Sequence, residues 1–512
     1  MNLFTILDMA ASGFGDRQAL GRRGDGPTYA DLRRQAAAGG AWLAGQGAGR
    51  DGAGRPVVFV GQSGHAFASA FFACNWADVP FVPLNYRLAA EQLEGLIDRT
   101  GDPVVVAEPA YAATVAGPGR TVLTTEEWLA AVCGPGTGAA APGGDAVAEP
   151  VRPALHLFTS GTTAEPKAAI LGHDNLSAYI LGSVDFGAAG EEEAALVSVP
   201  PYHIAGVANL LSNVFAGRRI VYLAAFDPAS WLEVVRTEGI TQAMVVPTML
   251  ARITEALAGA SSAGVPTLRS ISYGGARMPV PVLERALQLF SGTGFVNAYG
   301  LTETSSSIAV LGPDDHRRAL AGDDPVARDR LGSVGRVLPG IEVQVRGPDG
   351  SVLGPGDHGE IWVRGEQVSG RYAGLDSPCD PDGWFPTRDA GWVDADGYLF
   401  VEGRADDTII RGGENIAPAE IEEVLLRHPA VVDAAVVGLP DEEWGQRIGA
   451  MVVLRPADGG APAAEDIAAW SRAHLRTSKA AEVVVVRDAL PRTDTGKLLR
   501  RQVLADLLEV IG

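Results

Sequence analysis

The amino-acid sequence predicts an α/β protein of two or three domains, and three observations support this class. The chain has 512 residues, too many for one hydrophobic core. Apolar residues make up 46% of it and charged residues 20%, the ordinary balance of a soluble globular protein. Short apolar strands alternate with helical segments over the first 110 residues, as in a parallel sheet covered on both faces.

The predicted elements follow that alternation along the chain. An amphipathic helix is expected at the amino terminus. Gly, Ala and Pro dominate residues 134–150, which favours a flexible surface loop, and the charged residues 313–330 favour an exposed loop. Strands are expected at 56–60, 81–85, 104–106, 243–246, 271–274, 432–437, 449–454 and 483–486, and helices at 28–47, 67–72, 91–99, 204–215, 418–427, 464–475 and 498–510.

Charge and cysteine content restrict the function. The net charge is −21, and a chain this acidic should repel nucleic acid and anionic membranes. Cys74, Cys133 and Cys379 are too sparse for a disulfide framework or a structural zinc site. We expect neither a signal peptide nor a membrane helix, because the amino terminus lacks a basic start and no apolar run reaches ~18 residues. A cytoplasmic protein is therefore expected.

A polar segment at 157–167, Leu-Phe-Thr-Ser-Gly-Thr-Thr-Ala-Glu-Pro-Lys, has the chemistry of a phosphate-binding loop. Four hydroxyls, a glycine and a lysine within nine residues can surround a polyphosphate with donors. The Walker pattern GxxxxGK[ST] is absent, which removes the main support for a kinase or GTPase. Taken alone, the segment could also be an ordinary Ser/Thr-rich turn.

A second unusual stretch, residues 384–422, is rich in turn-forming residues. Aspartates and glycines crowd positions 394–403, and the pair Gly412-Gly413 lets another molecule approach the backbone closely. By itself, the stretch predicts two hairpins followed by a helix from Pro418.

Together these segments resemble the adenylate-forming superfamily of acyl-CoA synthetases, adenylation domains and luciferases, with motifs most similar to aryl- and acyl-CoA ligases. The resemblance implies a large amino-terminal α/β domain over residues 1–403, a hinge at 404–406 and a small mobile α+β domain over 407–512. It is carried by 157–167, Asn-Ala-Tyr-Gly-Leu-Thr-Glu at 297–303, 384–422, Trp-Gly-Gln at 444–446 and Pro-Arg-Thr-Asp-Thr-Gly-Lys at 491–497.

The resemblance also implies which residues act on the nucleotide. Lys497 would reach the carboxylate and the α-phosphate, Thr302 would contact phosphate, and Glu303 would bind Mg²⁺, which one carboxylate and phosphate oxygens can hold. His203 would lie beside the acid, and Asp406 would be the hinge. The implied nucleotide-binding residues are Thr159, Ser160, Gly161, Thr162, Thr163, Lys167, Gly275, Ala276, Asn297, Tyr299, Asp389 and Arg404.

Sites for CoA and for the acid are implied in the same way. Trp444 would stack on the adenine of CoA, beside Gly412 and Gly413. Several acid-pocket positions carry smaller groups than such ligases often have, so a bulky acid is expected. The implied pocket residues are His203, Ile204, Ala205, Gly274, Ala298, Gly300 and Ser305.

The implied activity is that of an acyl-CoA ligase. A carboxylate would attack the α-phosphate of Mg·ATP to give acyl-AMP and pyrophosphate, and CoA would then displace AMP. ATP, CoA and a carboxylic acid would be the substrates and Mg²⁺ the cofactor. A dimer is one option for the oligomeric state, which the sequence does not specify.

Three residues depart from the family pattern at the phosphate site. The family usually has glycine where this chain has Ala164 and Ala168, and Thr-Gly-Asp or Thr-Ser-Asp where it has Thr387-Arg388-Asp389. Arg388 could add a phosphate contact, obstruct ATP, or pair with Asp389. We therefore expect adenylation to be weakened or lost while thioester formation survives. Two alternatives remain, a transferase that uses acyl-AMP from a separate adenylating enzyme and an inactive ligand-binding relative.

Overall fold

A computed structural model describes residues 1–47, 55–134, 153–159, 166–322, 324–412, 414–455, 461–493 and 496–511. Residues 135–150 of the predicted surface loop lie outside this set. The fold is mixed α/β, with two large sheets and one smaller sheet followed by a compact carboxy-terminal domain.

The first sheet is built from short, buried apolar strands. Its strand order is β4-β3-β1-β2-β5-β6, parallel throughout except for the antiparallel pair β5-β6. The strands are β1 Val57–Val60, β2 Phe81–Leu84, β3 Val104–Ala107, β4 Thr121–Thr124, β5 Pro153–Thr159 and β6 Lys167–Gly172. The helices of this region are α1 Phe4–Phe14, α2 Tyr29–Gly45, α3 His65–Ala77, α4 Ala90–Asp98, α5 Pro109–Val115, α6 Thr125–Cys133 and α7 His173–Ser183.

The second sheet carries Gly274 at the end of its strand β10, and Asn297 and Tyr299 in its strand β11. Its order is β13-β12-β11-β10-β9-β7-β8. Neighbouring strands from β7 to β11 are parallel to each other, and β12 is antiparallel to β11. The strands are β7 Ala194–Val197, β8 Arg219–Tyr222, β9 Gln242–Val245, β10 Ser270–Gly274, β11 Gly294–Leu301, β12 Ser306–Leu311 and β13 Arg336–Val337. The helices are α8 Ile204–Ala216, α9 Pro228–Thr237, α10 Pro247–Ala256, α11 Val280–Leu289, α12 Pro313–Leu320 and α13 Pro325–Asp329.

The expectation of an exposed loop at 313–330 is wrong, since α12 and α13 occupy most of it. Pro313 begins α12, aspartates fill its first turn and arginines its last, an arrangement that suits the helix dipole. His316 is buried, and its Nε2 forms a hydrogen bond of 2.8 Å with Tyr273 Oη. The charges that suggested a loop are therefore the outer face of a short amphipathic helix.

The last third of the chain forms a four-stranded antiparallel sheet and then a domain with its own apolar cores. The strands are β14 Glu342–Arg346, β15 Gly359–Arg364, β16 Phe385–Val393, β17 Leu399–Arg404, β18 Ile409–Arg411, β19 Glu414–Ile416, β20 Val431–Asp441, β21 Gly445–Leu454 and β22 Val483–Val486. The helices are α14 Pro418–Leu426, α15 Ala464–His474 and α16 Arg500–Ile511, and single 3₁₀ turns cover Thr302–Thr304, Arg330–Gly332, Ala405–Asp407 and Thr477–Lys479.

Among the residues that the structure describes, every helix is too short or too polar to cross a membrane.

Candidate active site

Asp389 lies at the centre of a buried hydrogen-bond network. The antiparallel register of β16 and β17 places it opposite Arg404, whose Nη1 donates to Asp389 Oδ1 at 3.1 Å and to the Thr387 carbonyl at 3.0 Å. From β11, Tyr299 Oη donates to Asp389 Oδ2 at 2.6 Å. Burial raises the pKa of Asp389, although Arg404 and the hydrogen bonds oppose the shift. Three elements thus fix one carboxylate.

Arg388 does not join this network. Its backbone has φ 63°, a left-handed conformation that disfavours any side chain and explains why glycine suits the position. The side chain is 59% exposed and its Nε lies 3.8 Å from Glu360 Oε1. The suggested pairing of Arg388 with Asp389 is therefore wrong, and these contacts give no support to the suggested obstruction of ATP.

The other described departure, Ala168, is free of backbone strain, unlike Arg388. It lies in the extended strand β6, paired with Phe158, and its carbonyl accepts from the Ala373 amide at 2.9 Å. A methyl group at position 168 therefore carries no cost from a positive φ. Ala164 lies outside the described residues, together with Ser160, Gly161, Thr162 and Thr163.

Tyr372 lies between Lys167, at one end of the predicted phosphate loop, and Glu303, the predicted metal ligand. Thr159 Oγ1 donates to the Lys167 carbonyl at 3.3 Å, which holds the two strand ends together. Lys167 Nζ lies 5.9 Å from the centroid of the Tyr372 ring, and Tyr372 Oη donates to Glu303 Oε1 at 2.7 Å. Lys167 and Glu303 are thus brought to the same part of the molecule, as expected.

Glu303 has the surroundings that a nucleotide-bound Mg²⁺ would need. It is 9% exposed, lies in the 3₁₀ turn that begins at Thr302, and accepts a hydrogen bond from Tyr372 on one carboxylate oxygen. Within the described part of the chain, no three His, Cys, Asp or Glu side chains form a metal cluster. The Glu303 carboxylate is a hard oxygen ligand, which fits a Mg²⁺ ion that takes its other ligands from phosphate and water.

The loop bearing Lys497 is docked on the large domain. Gly496 packs against α10, where a Cβ on it would lie 2.5 Å from Thr248 Oγ1. Lys497 is exposed, and its charge acts on the pKa of Asp389 in the lowering direction. The structure therefore brings the predicted catalytic lysine within electrostatic reach of the nucleotide-site carboxylate.

The end of β10 and the neighbouring β11 form a tightly packed ledge. A Cβ on Gly274 would lie 2.2 Å from the Ala298 carbonyl oxygen, so only glycine fits there. Gly275 and Ala276 follow at the exposed surface, and Asn297 Nδ2 donates to the Ser333 carbonyl at 3.1 Å. The implied adenine and acid positions are thus adjacent.

The residues assigned to the acid pocket differ in how deeply they are buried. His203 precedes α8, with its ring centroid 4.9 Å from that of Tyr202, and Ala205 and Ala298 are half-buried. Ser305 is fully buried, and its hydroxyl donates to the Gln367 carbonyl at 2.8 Å. Its assignment as a pocket-lining residue is therefore corrected.

The predicted hinge and CoA residues are solvent-accessible. Asp406 is exposed, whereas its neighbour Asp407 pairs with Arg500 at 3.3 Å. The Gly412 amide donates to the Trp444 carbonyl at 2.8 Å, and a Cβ on Gly412 would lie 2.9 Å from the indole, which is 46% exposed. Gly413 lies outside the described residues.

Sequence reasoning missed Tyr372 and Gln367. Both follow β15 in the segment Gly-Glu-Gln-Val-Ser-Gly-Arg-Tyr at 365–372, whose residue types alone indicate no chemistry. A weak signal was Gly370, which has φ 58° and leaves no room for a Cβ beside Cys379 Sγ. A glycine required at this position indicates that the backbone conformation of the segment is constrained.

Comparison with known proteins decides the family. A model described as "AMP-binding enzyme" matches residues 7–373, and one described as "AMP-binding enzyme C-terminal domain" matches residues 420–497. The chain belongs to the AMP-binding enzyme family. The predicted family, fold and enzyme class, an AMP-forming acid–thiol ligase, are confirmed.

Individual relatives extend over nearly the whole chain. A feruloyl-CoA synthase from Amycolatopsis sp is 34% identical over 501 residues, 95% of each chain. A 2-succinylbenzoate–CoA ligase from Bacillus cytotoxicus is 32% identical over 469 residues, 89% of each. O-Succinylbenzoate coenzyme A synthetase from Bacillus subtilis, solved in complex with ATP and magnesium ion, has a TM-score of 0.82 and 28% identity, and covers 98% of this chain and 99% of that one.

Proposed function

We propose that this chain is an acyl-CoA ligase that makes a CoA thioester through an acyl-adenylate and catalyses both half-reactions. The observation that carries the proposal is the Asp389 network, in which Tyr299 and Arg404 orient the carboxylate and Lys497 lies within electrostatic reach of it. Asp389 offers acceptors to ribose hydroxyls, while Lys497 offers a positive charge to the reacting groups.

In the first half-reaction, an acid oxygen attacks the α-phosphorus of ATP, and the bond from that phosphorus to the bridging oxygen breaks as pyrophosphate leaves. In the second, the CoA thiolate attacks the acyl carbon and AMP leaves with the electrons of the carbon–oxygen bond. Lys497 stabilises the negative charge that develops in the first step. When bound with ATP, Mg²⁺ would neutralise phosphate charge, and Glu303 would hold it.

We propose that adenylation is retained, against the expectation from the departures. Two of the three departures can be placed, and neither harms the site: Arg388 extends toward solvent and Ala168 lies in unstrained strand backbone. Of the three departures, only Ala164 remains as a reason to expect that the protein needs acyl-AMP from a separate adenylating enzyme.

The relatives favour an aromatic acid as substrate, since feruloyl and 2-succinylbenzoyl groups are both aryl. Ala205 and Ala298 carry only methyl side chains at the assigned acid positions, so we propose a substituted or bulky aryl acid. Ala298→Ile should lower kcat/KM for the larger acids of a panel at least tenfold and spare benzoate, in the range that one added apolar side chain excludes. Benzoate preference in the unmodified protein would contradict this substrate class.

ATP–pyrophosphate exchange over a panel of aryl acids tests the proposed activity, run beside CoA consumption from a synthetic acyl-AMP. Activity in both assays is the expected result. Activity in the second alone would indicate the transferase, and activity in neither would indicate a ligand-binding relative. Gln502→Ala, at an exposed residue of α16, serves as the control substitution.

A further inference from the structure

The turn that carries Thr302 and Glu303 continues into an unusual backbone. Ser305 has φ 58° and Ser306 has φ 114°, so two consecutive residues with side chains occupy a region that favours glycine. A Cβ on Gly300 would lie 1.8 Å from the Ser306 carbonyl oxygen, which shows how closely β11 approaches this turn. Such a conformation persists only where surrounding contacts hold it.

Gln367 supplies three of those contacts. Its Nε2 donates to the Thr304 carbonyl at 2.9 Å and to the Ser307 carbonyl at 2.8 Å, one on each side of the two strained residues. Its own carbonyl accepts from Ser305 Oγ at 2.8 Å. Gln367 is 5% exposed, so water cannot readily replace these bonds.

The segment after Gln367 reaches Glu303 directly. The Ser369 amide donates to the Glu303 carbonyl at 2.8 Å, and Tyr372 Oη donates to Glu303 Oε1 at 2.7 Å. Both the backbone and the carboxylate of Glu303 are thus held from the segment that Gln367 anchors.

We propose that Gln367 is a positioning residue that fixes the Thr302–Glu303 turn and thereby aims the Glu303 carboxylate at Mg·ATP. The inference rests on the proposed function, because it presumes that Glu303 meets the metal–nucleotide complex. The amide is required: both acceptors are backbone carbonyls, so a carboxylate at this position would repel them and an apolar side chain would leave them unpaired.

Calorimetric binding of Mg·ATP and of AMP tests the inference in Gln367→Met, which keeps the side-chain volume and removes both donors. We expect the Mg·ATP affinity to fall about tenfold, the scale of a lost buried hydrogen bond, and the AMP affinity to change less than twofold, because AMP lacks the β- and γ-phosphates. The free Mg²⁺ concentration that gives half-maximal exchange should rise with it. Gln367→Glu should give at least the same loss.

Val363→Ala is the matched control. Val363 is a buried apolar residue of β15, so its truncation destabilises the fold without removing a hydrogen bond to the turn. The Mg·ATP and AMP affinities of this variant should stay within twofold of those of the unmodified protein. If Gln367→Met does not fold, Ser305→Ala removes one bond of the same set and should weaken Mg·ATP about threefold.

Two results would overturn the inference: a folded Gln367→Met with unchanged Mg·ATP affinity, or equal losses for Mg·ATP and AMP, which would indicate a general structural role. An unmodified protein that binds no Mg·ATP would overturn the proposed function, and the inference with it.

Discussion

The two sides of the candidate site are built in opposite ways. On the large-domain side, Asp389 is 6% exposed and both of its oxygens accept hydrogen bonds from neighbouring strands. On the other side, Lys497 and Asp406 are exposed, and Trp444 is 46% exposed. The carboxylate that we assign to the nucleotide is embedded in a sheet, whereas the residues that we assign to the lysine loop, the hinge and CoA lie on accessible segments.

The largest expected effect concerns Lys497. Lys497→Ala should lower ATP–pyrophosphate exchange at least ~10²-fold, the scale of losing one charged group from a transition state. Thioester formation from synthetic acyl-AMP should stay within about threefold, since that step makes no new bond to phosphorus. Stopped-flow or single-turnover assays of each half-reaction measure the difference. Equal losses in both would mean that Lys497 acts on the whole fold rather than on adenylation.

Asp389→Asn should weaken AMP binding and change the way in which stability depends on pH. Asp389→Asn should weaken AMP about 10- to 100-fold, because hydrogen bonds to a charged acceptor contribute ~1.5–3 kcal/mol. Burial raises the pKa of Asp389, so its proton stabilises the folded state at acid pH, and this contribution is lost as pH rises through the folded-state value. At pH 7, Asp389→Asn should therefore unfold at no lower urea concentration than the unmodified protein. Between pH 4 and pH 7, its stability should fall less than that of the unmodified protein.

Asp406→Asn is the comparison variant for Asp389→Asn. The exposed Asp406 should leave AMP affinity within twofold and the free energy of unfolding within about 0.5 kcal/mol. A larger drop in AMP affinity for Asp406→Asn than for Asp389→Asn would reverse the division between the two sides.

Trp444 should affect CoA alone. Trp444→Ala should raise the KM for CoA by about tenfold, within the ~1–3 kcal/mol expected for stacking an aromatic ring on a base. The KM for ATP should not change. An unchanged KM for CoA would remove the assigned role of the indole.

The smallest expected effect is at Arg388. Arg388→Gly should raise the free energy of unfolding by about 0.5–1 kcal/mol, since glycine accepts φ 63° without strain. Arg388→Ala, which keeps the strain, should not. ATP–pyrophosphate exchange should change less than threefold in both variants. A large gain of exchange in Arg388→Gly would instead support the hypothesis that the guanidinium obstructs ATP.

The sequence predicted what local pattern encodes. Buried apolar runs such as β1 and β3, and the helix beginning at Pro418, are specified by their own residues. Motif resemblance located Asp389, Tyr299 and Lys497, because their roles depend on residue type in a particular order.

What escaped prediction depends on contacts between distant segments. The burial of Ser305 follows from Gln367, 62 residues away, and the direction of Arg388 follows from a positive φ that residue type does not reveal. The charged face of α12 resembled a loop because the residues that bury His316 come from β10 and β11. Long-range pairing of this kind has no signature in a short window.

The missing side chain of Gly496 lets the lysine loop lie directly against Thr248. The lysine loop rests on Thr248 through close van der Waals contact, and a surface ion pair between Arg277 and Glu423 joins the same two domains at 2.8 Å, a kind of contact that contributes little net energy. Each added 1.4 kcal/mol of steric cost at position 496 would change the ratio of docked to released molecules tenfold. Gly496→Ala should therefore lower the fraction of molecules in which the lysine loop lies against Thr248.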